Sequence, residues 1–198
     1  MSTTLAAGAF SSNPLWYTTR STAVVGFVLL TIGLVLGVAS TQRTLASRAW
    51  PRFATQALHR NVNVLGLVFV VVHIITTVAD SYVNVGVASV VVPFASSYKS
   101  VDVMWGTVAF DIFLLVAVTG FLRVRMKEPV WRRIHLLSYL AWPLGMIHFI
   151  TTGTDGGTTK WGFWLAIVAT FAVAAASVLR VVTPNGPQGP VRSVPGHS

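Results

Sequence analysis

Apolar and polar positions in this chain segregate on a long scale. Five stretches, at residues 21–42, 61–79, 103–122, 134–154 and 161–179, are dominated by Leu, Val, Ile, Ala and Phe. Each is close to the roughly 20 helical residues needed to cross a hydrocarbon layer about 30 Å thick. Only the third contains a charge, Asp111, and Trp or Tyr stands near many of the ends, as interfacial aromatic residues do. The pattern predicts an all-α membrane protein, a five-helix transmembrane bundle spanning residues 21–182. Residues 1–20 are expected to form an extracytoplasmic N-terminal segment. They have no basic run ahead of the first apolar stretch, and that stretch is too long for a signal-peptide core, so it is read as a retained span.

A sixth uncharged window, 81–98, starts directly after Asp80 and contains Asn84, Gly86, Pro93 and the pair Ser96-Ser97. It is read as a loop over the membrane face. Its Val-rich centre can dip back onto the bundle, since irregular backbone at membrane depth is tolerated where protein covers it.

Charge orients the bundle. Arg43, Arg48, Arg52 and Arg60 lie between spans one and two, and Arg123, Arg125, Lys127, Arg132 and Arg133 between three and four. Arg180 and Arg192 follow span five, whereas the opposite side carries only Arg20, Lys99 and Lys160, together with Asp80, Asp102 and Asp155. The positive-inside rule then puts the N-terminus outside and the C-terminus in the cytoplasm. The tail, residues 183–198, is rich in Pro and Gly and is expected to be a disordered cytoplasmic end.

Composition narrows the chemistry. Of 198 residues, 54% are hydrophobic and 10% charged, with a mean hydropathy of +0.70, which excludes an ordinary soluble globule. The formal charge of +9 is explained by topology and implies no nucleic acid. There is no Cys, hence no thiolate nucleophile, iron–sulfur cluster or covalent heme attachment. Metal chemistry must run through His or carboxylates.

Four of the five His are placed in pairs. His59 and His73 bracket span two, and His135 and His148 bracket span four. Ionisable side chains in spans face the bundle interior and raise a functional hypothesis. Both spans run from inside to outside, and at 1.5 Å per residue each pair is separated by about 20 Å along its helix. His59 therefore falls level with His135 near the inner face, and His73 with His148 near the outer one. Two imidazoles facing each other between helices are what axial ligation of a heme iron requires. Zinc, copper or bare iron want three or four ligands close together, and no Cys, Glu or Met cluster is at hand. Non-covalent heme b, two per chain, is the expected cofactor. Helical phase suits the first pair, whose 14-residue separation returns within about 40° of one face, but leaves the second about 140° apart. Pro143, between His135 and His148, is expected to distort the helix and bring the rings together.

At these positions the chain resembles the ferric reductase-like transmembrane domain family, which includes ferric reductases, NADPH oxidases and the heme subunit of a bacterial methionine-sulfoxide repair system. The matching pattern is H-x13-H (His59, His73) followed by H-x12-H (His135, His148), with one span and a basic loop between. The stretches Leu15 to Arg20, Trp131 to His135 and His148 to Asp155 look like small actinobacterial members. The resemblance implies that His59 with His135 ligates an inner heme and His73 with His148 an outer one. It also implies an electron relay across the bilayer to an acceptor at the outer face: a metal ion, oxygen or a protein. Larger members continue into flavin and nicotinamide domains, but this chain has no nucleotide fingerprint. Electrons are therefore expected from a cytoplasmic flavoprotein reductase or from quinol, with flavin or quinone supplied by that partner. The chain is read as an electron-transfer component, not a self-contained enzyme.

Arg60, Arg132 and Arg133 beside the inner level are candidates for the heme propionates, alongside a plain role as topology determinants. Phe69 and Trp142 fall between the levels and can pack on porphyrin edges. Asp111 can orient a ligating His or handle protons, and Asp155 can shape the outer mouth. Two other functions fit the same features: a quinol-oxidising cytochrome b subunit of a membrane oxidoreductase, and a non-redox scaffold or transporter.

Overall fold

The computed structural model describes residues 14–40, 52–80, 85–153 and 160–182. In chain order these form α1 (Pro14–Ser40), α2 (Arg52–Ala79), a 3-10 turn (Val87–Val90) and α3 (Ser100–Phe121). A second 3-10 turn (Arg123–Arg125), α4 (Glu128–Leu136), α5 (Ser138–Thr152) and α6 (Trp161–Val182) follow. Among the described residues there is no strand. Five helices are long and apolar enough to cross a membrane, with α4 and α5 together making one of them.

Several boundaries differ from the sequence expectation, and the reason is the same at each. The polar ends of the spans are helical too. Residues 14–20, expected in the N-terminal segment, are the first turns of α1. Pro14 suits a first turn because its missing N–H has no intrahelical partner there. Thr18 and Ser21 then donate to Pro14 O and Tyr17 O, and the Arg20 guanidinium lies 4.1 Å over the Trp16 ring, keeping its charge at an aromatic interface. Likewise α2 starts at Arg52, so that Arg52 and Arg60 are helical residues, not loop residues. Residues 1–13, the loop arginines Arg43 and Arg48, Asp155 and the tail from 183 with Arg192 lie outside the described residues.

The helices pack as two antiparallel pairs. α1 lies against α2 over most of its length, α3 lies against α5, and α6 lies mainly against α1. The α1–α2 approach depends on glycine. A Cβ on Gly26 would come 3.1 Å from a Val70 methyl, and one on Gly66 would come 3.1 Å from Leu30. Small residues of this kind let helices approach in membranes, where water no longer drives apolar faces together. The pairs are tied by Phe27, Trp142 and Ala169, from α1, α5 and α6, and by a buried bond from Trp142 Nε1 to Thr31 Oγ1 of 2.9 Å. α2 leans chiefly on α1 and packs hardly at all on α4 or α5. A cleft therefore separates α2 from the α4–α5 arm.

Within the 81–98 window, the described residues 85–98 form the 3-10 turn and an irregular loop, with no spanning helix. The loop does turn back onto the bundle: Thr107 Oγ1, two turns into α3, donates to Ser89 O at 2.6 Å, and Ser89 is buried.

Candidate functional site

The cleft between α2 and α4–α5 brings the four histidines together in two pairs. The rings of His59 and His135 have centroids 6.1 Å apart, and those of His73 and His148 are 6.4 Å apart. If two imidazole nitrogens share one metal at about 2 Å each, and each ring centre lies about 1.1 Å behind its nitrogen, the centroids should be about 6.2 Å apart. Both pairs meet that requirement. Fourteen residues of α2 hold the pairs about 21 Å apart along the helix axis.

The second ring nitrogens are also engaged. His59 Nδ1 lies 2.7 Å from Gly33 O, His73 Nδ1 lies 3.0 Å from Thr19 O, and His148 Nδ1 lies 2.8 Å from Asp102 O. A carbonyl only accepts, so each Nδ1 carries the proton and Nε2 keeps its lone pair for a metal. The carbonyls come from α1 twice and from α3 once, so neighbouring helices set the rings. Two glycines leave room for them. A Cβ on Gly37 would come 2.9 Å from His59 Cε1, and one on Gly106 would come 2.7 Å from His148 Cε1 and Nδ1.

The 13-residue spacing is resolved by winding, at a place other than the expected one. The helix is interrupted at Leu137, and Pro143 sits inside α5. Leu137 N–H donates to Ile134 O at 3.0 Å and Leu140 N–H to Leu137 O at 2.9 Å, both of the i→i−3 kind, and Leu137 O also accepts from Ala141 N–H at 3.0 Å. Ser138 Oγ donates to His135 O at 2.8 Å, taking a carbonyl released from the α-helical ladder. A tightly wound step turns about 120° instead of 100°, so each such step between His135 and Leu140 regains about 20° of the missing 140°.

Around the His59–His135 pair is a cavity of about 1040 Å³, large enough for a bulky cofactor. It is lined by His59 and His135, by Trp142, and by the guanidinium-bearing residues Arg60, Arg123, Arg132 and Arg180. Of the three arginines expected at the inner level, Arg60 and Arg132 line it and Arg133 does not. Arg132 is shared with Glu128, one turn away in an exposed ion pair. Arg123 and Arg180 escaped the sequence reading because both counted as loop or terminal charges. Arg180 donates to Tyr139 Oη at 3.0 Å, which carries α6 to the cavity rim.

Of the two aromatics expected between the levels, Trp142 lines the cavity and Phe69 does not. The stacking partner that sequence reasoning missed is Phe27. It lies 6.2 Å from Trp142 and 4.9 Å from Phe149, the residue after His148. Asp111 orients none of the imidazoles, because three Nδ1 atoms have backbone acceptors and the fourth, on His135, has no partner among the described residues. A carboxylate was the obvious orienting group to look for in a sequence, and backbone carbonyls took its place.

Among the described residues no three His, Asp or Glu side chains come close enough to hold a metal ion together. Each pair offers two ligands, so a metal there must bring the rest with it, as a planar macrocycle does with four. The donor set, the ring separations and the glycine gaps thus fit heme b.

Comparison with curated proteins and with solved structures gives no match. The sequence does match a protein family over residues 14–155, a segment that includes all four paired histidines and stops short of α6. That match covers well over half of the chain, which therefore belongs to the family described as a domain of unknown function, DUF8596.

Proposed function

We propose that the chain is a bacterial plasma-membrane cytochrome b, the heme subunit of a ferric reductase-like system, with His59 and His135 holding an inner heme and His73 and His148 an outer one. The observation that carries this reading is the pair of imidazoles brought together at each level, 6.1 and 6.4 Å between ring centres, with three of the four Nδ1 protons already donated to carbonyls. Heme b, when bound, would supply reversible one-electron chemistry, with His59 and His135 holding one group and His73 and His148 the other, an arrangement suited to electron transfer. The protein's part is to fix ring planes and tautomers, to line the inner cavity with Arg60, Arg123, Arg132 and Arg180, which complement carboxylate groups, and to keep the two levels apart.

With the N-terminus outside and the C-terminus inside, the cavity with its arginines faces the cytoplasm, where a flavoprotein reductase or quinol delivers electrons. The His73–His148 pair then lies toward the outer acceptor. Purified protein should be red, with about two hemes per chain and a b-type reduced α-band; a colourless preparation after expression with added heme overturns the proposal. Labelling settles orientation separately. Ala95→Cys in the outer loop should react with an impermeant thiol reagent added to intact cells, and Val124→Cys, on the fully exposed 3-10 turn before α4, only after lysis.

A further inference from the structure

His135 differs from its three counterparts. Its Nδ1 is buried and, among the described residues, has no hydrogen-bond partner, whereas His59, His73 and His148 each donate to a carbonyl of another helix. No backbone carbonyl fixes its ring plane. What touches the ring instead is Trp131, one turn earlier on α4, stacked at 5.0 Å between centroids and 24° between planes. Trp131 in turn carries the Arg123 guanidinium 4.3 Å above its ring. Among the described residues Trp131 Nε1 is itself buried without a partner, so stacking and not a hydrogen bond holds the indole.

Trp131 is thus in contact with both the cation and the imidazole. Such contacts favour particular planes: an offset parallel arrangement for the rings, and a cation above the negative face of the indole. We propose that Trp131, clamped by Arg123, is the positioning residue of His135, fixing by stacking the ring plane that hydrogen bonds fix in the other three imidazoles. This rests on the heme reading given above and deepens it at the inner level.

The substitution of one kind of contact for another has an electronic consequence. An imidazole that donates its Nδ1 proton to a carbonyl is a stronger ligand base and favours the ferric iron. The outer pair has two such bonds and the inner pair one. Arg123 brings a positive charge to the inner side as well. Both differences favour the reduced iron at the inner level, so the inner midpoint potential should lie above the outer.

The test is a redox titration with low-temperature electron paramagnetic resonance on the purified full chain, since the g-values of a low-spin bis-imidazole iron follow the angle between the ring planes. His135→Ala first identifies which signal is the inner one. Trp131→Leu should then move the g-values and midpoint of that signal and leave the outer signal as in the wild type. Trp131→Phe keeps a stacking ring and loses only an unpartnered N–H, so it should restore the wild-type g-values. Arg123→Leu should move the inner signal in the same sense as Trp131→Leu, by less. An inner signal unchanged in Trp131→Leu, or not restored in Trp131→Phe, overturns the positioning role while both hemes remain in place. If Trp131→Leu does not accumulate in the membrane, an inner signal in Trp131→Phe that differs from wild type, or in Arg123→Leu that does not, overturns it equally. An inner midpoint below the outer one overturns the electronic consequence. Wild-type protein without heme overturns this inference together with the proposed function, and is seen before any variant is made.

Discussion

At the His73–His148 end of the cleft, the end proposed to be outer, both imidazoles are anchored to backbone: His73 to Thr19 of α1 and His148 to Asp102 of α3. At the inner end only His59 is anchored in this way, to Gly33, while His135 lies on Trp131 beside a cavity of about 1040 Å³ ringed by arginines. The ring separations nevertheless differ by only a few tenths of an ångström. Equal spacing is thus reached by two routes. Carbonyls of the neighbouring helices α1 and α3 serve at His73 and His148, and side-chain stacking serves at His135, beside the α4–α5 junction at Leu137. The comparison suggests an outer site set by the fold and an inner site set by a few replaceable side chains.

The largest expected effect treats the two ends alike. His73→Ala and His59→Ala should each lower the heme content from about two per chain to about one, and the double variant should be colourless, read by pyridine hemochrome assay against protein. Loss of both hemes in either single variant would show one cooperative site in place of two. The next effect separates the ends by size. A methyl at Gly106 would meet three ring atoms of His148 within 2.8 Å, whereas a methyl at Gly37 would meet His59 at 2.9 and 3.2 Å. Gly106→Ala should therefore abolish the outer heme, and Gly37→Ala should only lower inner occupancy, by the same assay combined with reduced spectra. Equal losses would mean that the rings are not confined by these helices. The smallest effect concerns Pro143. Because the tight winding is at residues 134–140, ahead of the proline, Pro143→Ala should leave both hemes and their midpoint potentials in place. A lost outer heme would return the distortion to the proline.

Much of this was legible in the sequence, and for identifiable reasons. Long apolar runs gave the five spans, and the near-equal separations of His59–His73 and His135–His148 gave the levels at which the rings meet. Helix ends were misplaced because hydropathy stops where charge begins, whereas the backbone continues: α1 reaches back to Pro14 and α2 to Arg52. The orienting groups were invisible because every residue has a carbonyl, so nothing in the identities of Gly33, Thr19 or Asp102 marks its oxygen as an acceptor. The search for a carboxylate settled instead on Asp111, which orients none of the rings. The stack on His135 was closer to hand. Trp131 precedes it by four residues, the spacing at which side chains on a helix meet, but Arg123 comes from the turn before α4 and could be added only in three dimensions.

The vertical separation of the pairs has an electrical meaning. His59 and His73 stand about 21 Å apart on α2, roughly two thirds of a hydrocarbon layer about 30 Å thick. An electron passed from the inner pair to the outer would traverse that fraction of the voltage drop, and a full crossing is worth about 2.3 kcal/mol per 100 mV. With the cell interior negative, the field pushes the electron outward with about 1.5 kcal/mol per 100 mV over this distance. Outward transfer would draw on the membrane potential and discharge it, so the rate of such a relay would rise and fall with the energisation of the cell, and a higher inner midpoint would be offset by the voltage across the bundle.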